Sequence, residues 1–132
     1  MPPGGSNLVH VDDVVAGHLA AAEQGGVGER YILGGENLSH WEAAKIMASV
    51  TGGPRPRLEL PHWSLAPLAR LIDGFNTLSR RTPLIAGEQV LLGGETFYVD
   101  NSKAVRELGL PQTPFRKAAE DAFVWYKEHG LL

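Results

Sequence analysis

The hydrophobic pattern at the start of the chain predicts a strand, a helix and a second strand within residues 7–36. β-forming residues come first, apolar residues at helical spacing follow, and a short apolar run closes the unit. Such a unit has two apolar faces, so it needs further structure to cover them. The residues that carry the pattern are Leu8, Val9 and Val11 for the first strand, Val15, Leu19 and Ala22 for the helix, and Tyr31, Ile32 and Leu33 for the second strand.

Polar residues and glycines mark the ends of these elements. Asp12 or Asp13 is predicted to cap the helix, because a carboxylate accepts hydrogen bonds from the unpaired N–H groups of a first turn. Glycine pairs are typical of the residues that follow a helix or a strand. The pairs in this unit are Gly25-Gly26 after the helix and Gly34-Gly35 after the second strand.

A second helix is predicted after Ser39, which has capping-box spacing to Glu42. The helix carries an apolar stripe and ends at Gly52-Gly53. Two prolines follow, and alternation in residues 58–60 then predicts a short strand. The stripe consists of Ala43, Ile46, Met47 and Val50.

The last part of the chain continues with further helices and one strand. A helix is predicted from about Trp63 to Leu78, and Thr82-Pro83 should open another over residues 84–92. Residues 96–99 are predicted to form a strand, Asp100 to cap a short helix over residues 102–108, and Thr113-Pro114 to open the final helix. The apolar faces of the two long helices are Leu68, Leu71, Ile72, Phe75 and Leu78, and Phe115, Ala119, Ala122, Phe123 and Tyr126. About five helices against about four short strands predict a mixed α/β fold with small strands flanked by helices.

Composition limits the classes of function. At 132 residues the chain suits one domain, predicted over residues 7–132 after an irregular arm of residues 1–6. The net charge of −3 provides no general basic field for nucleic acid or an anionic membrane, and the basic spots at Arg55 and Arg57 and at Arg80 and Arg81 are interpreted as solvated loop charge. No cysteine and no membrane-spanning apolar run are present, so a cytoplasmic location is expected.

The sequence lacks the usual signatures of dinucleotide binding and of hydrolysis. No GxGxxG follows a strand, and Gly25-Gly26-Val27-Gly28 follows a helix instead. No tyrosine has a lysine four places later, and no GxSxG occurs. No catalytic residue and no cofactor-binding residue is therefore predicted in this chain.

Two clusters could suggest a ligand, and each has a structural alternative. His10, Asp12, Asp13 and His18 could bind zinc or iron, but a helix cap with two locally hydrogen-bonded histidines is favoured, so no metal site is predicted. His62-Trp63 and Trp125-Tyr126 could line a pocket for an aromatic or sugar ligand, but core positions are favoured for them.

The order of four segments resembles the C-terminal part of extended short-chain dehydrogenases/reductases, the NAD-dependent epimerase/dehydratase family. Within that family the sequences of these segments are most similar to those of dihydroflavonol-reductase-like proteins and hopanoid-associated sugar epimerases. The resemblance runs from about Ser6 to Leu132. The segments are residues 7–14, NLVHVDDV; residues 30–35, RYILGG; residues 100–109, with DNSKA and ELG; and the last helix with Trp125-Tyr126.

The resemblance implies a Rossmann cofactor domain, with a smaller domain that supplies the substrate pocket. The glycine-rich loop, the Tyr-x-x-x-Lys pair and the NAD or NADP site belong to the part of the family that this chain lacks. Ser6 and Asn7 stand where nucleotide-sugar members carry a first diphosphate-binding arginine, and residues 89–95 hold no second one. A less charged ketone, aldehyde or alcohol is therefore expected as substrate. The substrate-pocket candidates that the resemblance implies are Ser6, Asn7, Val90 and Phe97.

Three hypotheses follow. The chain is the substrate-binding portion of an NAD(P)-dependent reductase or epimerase, inactive alone; or a non-enzymatic module that binds itself, as a homodimer, or another partner; or one subunit of a split reductase whose cofactor domain lies on another chain. For the second hypothesis, the surfaces expected to be left bare are the segment Tyr31-Ile32-Leu33 and the helix over residues 14–22.

Overall fold

The computed structural model describes residues 1–79 and 86–132, and this part contains six α-helices and a three-stranded sheet. The mixed α/β class with helix in excess is confirmed, although the strands are fewer and shorter than expected. The strands are β1 (Gly5–Leu8), β2 (Glu36–Ser39) and β3 (Thr96–Phe97). The helices are α1 (Val11–Gln24), α2 (His40–Thr51), α3 (Leu65–Ser79), α4 (Gly87–Leu92), α5 (Ser102–Leu108) and α6 (Phe115–Glu128), and a 3₁₀ turn at His62–Ser64 precedes α3.

The sheet has the order β2-β1-β3, with β1 at its centre. β1 runs antiparallel to β2, where Ser6 faces Leu38, and parallel to β3, where Ser6 faces Phe97. The predicted first strand is therefore displaced, because Gly5 and Ser6 belong to the strand and not to an irregular arm. Val11, expected in the strand, is the first residue of α1.

Two predicted strands do not form in the described part of the chain. Tyr31-Ile32-Leu33 is not assigned as a strand, since no described strand lies beside it to complete a ladder. Residues 58–60 only exchange two hydrogen bonds with the first residue, from the Met1 ammonium to the Leu58 carbonyl and from the Leu60 N–H to the Met1 carbonyl, each 2.8 Å long.

Local capping signals are confirmed where donor and acceptor are close in sequence. The Ser39 hydroxyl accepts the Glu42 N–H, and the Glu42 carboxylate accepts the Ser39 N–H, which completes the capping box of α2. α1 ends at Gln24 with Gly25 as its C-cap, and Gly109 ends α5 in the left-handed conformation. The predicted cap at Thr82-Pro83 lies outside the described residues, as do Arg80, Arg81 and the side chain of Leu78.

The main hydrophobic cluster lies between α1 and α5. Ala104, Leu108 and Leu110 form its centre, and Tyr31 and Leu33 pack against it together with alanines of α1. The predicted face of α3 is only partly right, because Leu71 and Phe75 are each 71% exposed while Leu65 and Ala69 are buried. α2 packs against α6, where Ala119 is buried.

A membrane span requires a long, uniformly apolar helix. Among the helices in residues 1–79 and 86–132, none reaches the length and hydropathy needed to cross a bilayer.

Candidate functional site

An apolar groove of about 890 Å³ lies between the end of β1, α2 and α6. It contains no lysine and no arginine, and its titratable side chains are His10, Asp12, Asp121 and Tyr126. Such a groove suits an apolar ligand, because it has no lysine or arginine to bind a phosphate by a charge-assisted hydrogen bond. The lining residues are Leu8, Val9, His10, Val11, Asp12, Ala43, Met47, Phe115, Ala118, Ala119, Asp121, Ala122, Trp125 and Tyr126.

His10 is the buried polar residue in the wall of this groove, and both of its ring nitrogens are engaged. Nδ1 accepts the Asp12 N–H at 3.1 Å, so His10 is the N-cap of α1. Nε2 lies 3.2 Å from an Asp121 carboxylate oxygen, which accepts its hydrogen in the tautomer that the cap requires. Lys117 forms an ion pair with the same carboxylate and, with His10 as a smaller cause, holds the pKa of Asp121 below its ordinary value. His10 therefore connects α1 to α6, and its role here is structural.

The prediction that Asp12 or Asp13 caps α1 is wrong, because the helix begins at Val11 and His10 occupies the cap. Asp12 is exposed in the first turn, where its charge is favourable near the positive end of the helix. Asp13 is buried and accepts two hydrogen bonds from Thr113, from the N–H at 2.7 Å and from the hydroxyl at 2.8 Å. Asp13 therefore fixes the chain just before α6, and not the start of its own helix.

The histidine and aspartate cluster does not assemble a metal site in the described residues. No three histidine, cysteine, aspartate or glutamate side chains converge there. His18 Nδ1 instead lies 2.8 Å from the Val14 carbonyl within α1.

The aromatic pairs differ from the expected core positions. Trp125 and Tyr126 line the groove, and each is about half exposed, at 50% and 47%. Trp63 is more exposed still, while His62 Nε2 lies 3.1 Å from the Gly94 carbonyl. The sequence interpretation of these aromatics as core residues is therefore wrong.

The four predicted substrate-pocket residues lie elsewhere, and none of them lines the groove. Ser6 and Phe97 are neighbours across β1 and β3, and the Phe97 side chain is 55% exposed. Asn7 follows Ser6 in β1, and Val90 lies on α4. Their role as a substrate pocket stays a prediction.

Asn7 has a structural task that the sequence did not indicate. Its side-chain oxygen accepts the Gly35 N–H at 2.9 Å, and its side-chain nitrogen donates to the Gly35 carbonyl at 3.0 Å. Asn101 and Gln112 both donate to the Gly34 carbonyl, at 2.6 and 3.2 Å. These amides fix the turn that follows the extended segment of residues 31–33.

Asp100 was the predicted cap of α5. The N-cap is Asn101, and Asp100, one residue earlier, accepts the Ser102 N–H at 2.9 Å.

The glycine turns do not fit a dinucleotide. A pyrophosphate site needs backbone N–H groups that are free to point at the ligand. Here the Gly25 N–H donates to the Ala21 carbonyl, the Gly26 N–H to the Tyr31 hydroxyl, and the Gly35 N–H to Asn7. These three N–H groups are therefore not free to bind a pyrophosphate.

An apolar stripe on α1 and the segment beside it remains uncovered. Val11, Val15 and Leu19 lie one turn apart and are exposed by 69%, 53% and 61%, and Ile32 is exposed by 51%. We call these four residues the α1 stripe. The expectation that residues 14–22 and 31–33 are left uncovered is met at Val15, Leu19 and Ile32, whereas Tyr31 and Leu33 pack against the hydrophobic cluster.

The fold and site thus define an α/β unit of the reductase and epimerase class with an apolar groove. Comparisons with known proteins agree. The chain is 38% identical over 132 residues to a dihydroflavonol 4-reductase-like protein from Synechocystis, covering 97% of this chain and 38% of that protein. It is 36% identical to sterol demethylase protein B from Methylococcus capsulatus, covering 98% of this chain and 40% of that protein, and 28% identical to short-chain dehydrogenase/reductase family 42E member 1 from Xenopus laevis, covering 93% and 34%.

Solved structures give the same result. The crystal structure of gox2253 superposes with a TM-score of 0.74 at 33% identity, covering 98% of this chain and 40% of that chain. A nucleoside-diphosphate-sugar epimerase from Pseudomonas aeruginosa superposes with a TM-score of 0.66 at 27% identity, covering 98% and 38%. No family model matches the sequence. The resemblance to extended short-chain dehydrogenases/reductases is confirmed, and the chain spans about two fifths of the length of these relatives.

Proposed function

We propose that this chain is the substrate-binding portion of an NAD(P)-dependent oxidoreductase or epimerase and is inactive alone. The observation that carries the proposal is that nearly all of the chain matches only 38% of a reductase-like relative, while its sequence holds neither a glycine-rich loop nor a Tyr-x-x-x-Lys pair. When bound to the complete enzyme, the nicotinamide cofactor would supply the hydride chemistry. The residues of this chain would bind and orient the substrate.

The cofactor domain is proposed to cover the α1 stripe. About three fifths of the reductase-like relative lies outside the matched region, which is enough polypeptide for a separate domain. Val15 and Leu19 project from the same face of α1, and Ile32 lies on an extended segment that no described strand pairs. Exposed apolar side chains grouped in this way are typical of an interface.

The substrate is proposed to be a ketone, aldehyde or alcohol of low charge. The absence of lysine and arginine from the groove supports this, as does the presence of Ser6 and Asn7 at the position of a diphosphate-binding arginine. The alternative substrate is a nucleoside-diphosphate sugar, which is suggested by the match to the nucleoside-diphosphate-sugar epimerase from Pseudomonas aeruginosa at 27% identity.

The cytoplasmic location predicted from the sequence is kept as part of the proposal.

A reconstitution experiment tests the proposed function. The chain would be mixed with the part of gox2253 that lies outside the matched region, and association would be followed by sedimentation velocity. We expect a 1:1 complex, and a loss of affinity of about tenfold or more in the Val15→Asp and Leu19→Asp variants because a carboxylate would be buried at the interface.

Phe75→Asp is the matched control, since Phe75 is an apolar residue that is more exposed than Val15 and Leu19 and lies on α3 outside the α1 stripe. It should leave the affinity within about twofold of the unmodified chain. Absence of a complex, or equal weakening by Phe75→Asp, would contradict the proposed interface.

Self-association is the second candidate, and the same exposed stripe favours it. If two copies cover each other's α1 stripe, the chain alone should sediment as a dimer that Leu19→Asp converts to a monomer. A monomer at all concentrations would exclude the homodimer and leave the cofactor domain as the proposed partner.

A further inference from the structure

A second recess, of about 370 Å³, lies on the other side of α2 from the groove and is lined by three cationic side chains. Lys45 and Ser49 project from α2, Arg55 from the segment after it, and Arg116 from the first turn of α6. Ile46 and Pro56 complete the wall, and no carboxylate lines the recess. The fold therefore brings Lys45, Arg55 and Arg116, which are far apart in sequence, to one place in a chain whose net charge is −3.

The charges of this recess are only weakly compensated by the protein. Arg55 has no hydrogen bond or ion pair to any residue in the described part of the chain. Arg116 reaches Glu120 only at 4.0 Å, and the Lys45 ammonium lies 5.4 Å from the centre of the Trp41 ring. Glu42, the acidic residue one turn before Lys45, is already engaged by the N–H and hydroxyl of Ser39. Three like charges brought together in this way favour a bound counter-ion.

We propose that this recess binds a phosphate group. Two guanidinium groups offer planar, paired N–H donors that match the oxygens of a phosphate, and the ammonium of Lys45 adds a compact charge. Arg116 lies in the first turn of α6, whose first N–H, that of Phe115, already donates to the Glu36 carboxylate at 2.7 Å, so the phosphate would be bound by the side chains. The Ser49 hydroxyl donates to the Ile46 carbonyl and so would not donate to the ligand. This site is separate from the groove and from the proposed interface, so its test does not depend on the proposed function.

The test is a nuclear magnetic resonance titration of the full chain with inorganic pyrophosphate, at constant ionic strength maintained with sodium chloride. We expect saturable shifts at the amides of Lys45, Ser49, Arg55 and Arg116. Arg55→Ala should weaken the binding by about tenfold, since one charge-assisted pair is lost. Glucose 1-phosphate, titrated in parallel, distinguishes a site for a phosphate ester from one for free pyrophosphate by which of the two binds more tightly.

Arg57→Ala is the matched control, because Arg57 carries the same charge two residues further along but does not line the recess. It should change the affinity by less than about twofold. Circular dichroism would verify that both variants are folded. Shifts that do not saturate, or an equal loss of affinity in Arg57→Ala, would show general screening by the anion and overturn the proposal.

Discussion

Asp12 and Asp13 are adjacent in sequence and have different tasks. Asp12 is exposed in the first turn of α1, whereas Asp13 is buried and accepts both hydrogen bonds from Thr113. Asp13→Ala should lower the free energy of unfolding by about 1–3 kcal/mol, because it leaves the Thr113 N–H without a partner. Asp12→Ala should cost less than about 1 kcal/mol, the usual size of a favourable charge near a helix N-terminus. Urea unfolding measures both, and an equal cost for the two variants would contradict this account.

Asn7 is one of the predicted substrate-pocket residues, and its side chain forms two hydrogen bonds to the backbone of Gly35. Asn7→Ala removes the partners of both the Gly35 N–H and the Gly35 carbonyl, so we expect a loss of about 1–3 kcal/mol in stability. Ser6→Ala, one residue earlier, should change stability by less than about 0.5 kcal/mol. Thermal unfolding of the two variants would check this, and an unchanged Asn7→Ala protein would show that the turn does not need the side chain.

The carboxylate of Asp121 responds to its neighbours in a measurable way. Lys117 is the main reason that its pKa lies below the ordinary value of 3.8, and His10 adds to the effect. A lowered pKa stabilises the fold above the ordinary value, and this contribution is lost as the pH falls through the lowered value. Lys117→Ala should therefore raise the pKa of Asp121, so that this contribution to stability is lost at a higher pH. Carbon-detected nuclear magnetic resonance of the Asp121 carboxyl group measures its pKa, and an unchanged pKa would contradict the assigned cause.

Sequence reasoning succeeded for residues whose partners are near in the chain. The box between Ser39 and Glu42 spans three positions, so its spacing is visible in the sequence. Asp13 and Thr113 are 100 positions apart, and His10 and Asp121 are 111 apart. No local pattern specifies such pairs. A histidine two residues before an aspartate at a helix start was the only available signal that His10 is the cap.

At the scale of the elements, α1 approaches the extended segment through Gly17. A Cβ atom at Gly17 would lie 2.7 Å from Leu33 Cδ2 and 2.8 Å from Leu110 Cδ1, and Leu110 is buried. Gly17→Ala should therefore be less stable than Gly74→Ala by about 1–3 kcal/mol, the usual cost of overpacking. Gly74 lies within α3 with open space around it, so alanine there should stabilise the protein by about 0.5–1 kcal/mol. Denaturant unfolding compares the two, and an equal gain in both would contradict the close approach.

The elements that the sequence predicted wrongly are strands. Helix ends are fixed by caps and glycines close in sequence, and so α2, α5 and the end of α1 were predicted well. A strand also needs a neighbour, and β-forming residues do not reveal whether one is present. Tyr31-Ile32-Leu33 has the composition of a buried strand and remains unpaired in the described chain.

At the scale of the whole molecule, the family was recognisable from the order of four weak segments, and the comparisons confirm it. The apolar groove was not predicted, because its walls come from β1, α2 and α6, and the sequence gives no information on how these elements pack. Three residues of the α1 stripe, Val15, Leu19 and Ile32, lie in segments that were predicted to be uncovered, since a strand–helix–strand unit needs further structure to cover its two faces.

The central claim is that the reactive groups and the cofactor site lie on polypeptide other than these 132 residues. Calorimetric titration of NADPH and NADH into the chain alone tests it most directly. The account predicts no saturable binding up to about 1 mM cofactor, because the sequence holds no GxGxxG after a strand and the backbone N–H groups of Gly26 and Gly35 are already paired. Stoichiometric binding with a micromolar Kd, about −8 kcal/mol, would contradict it.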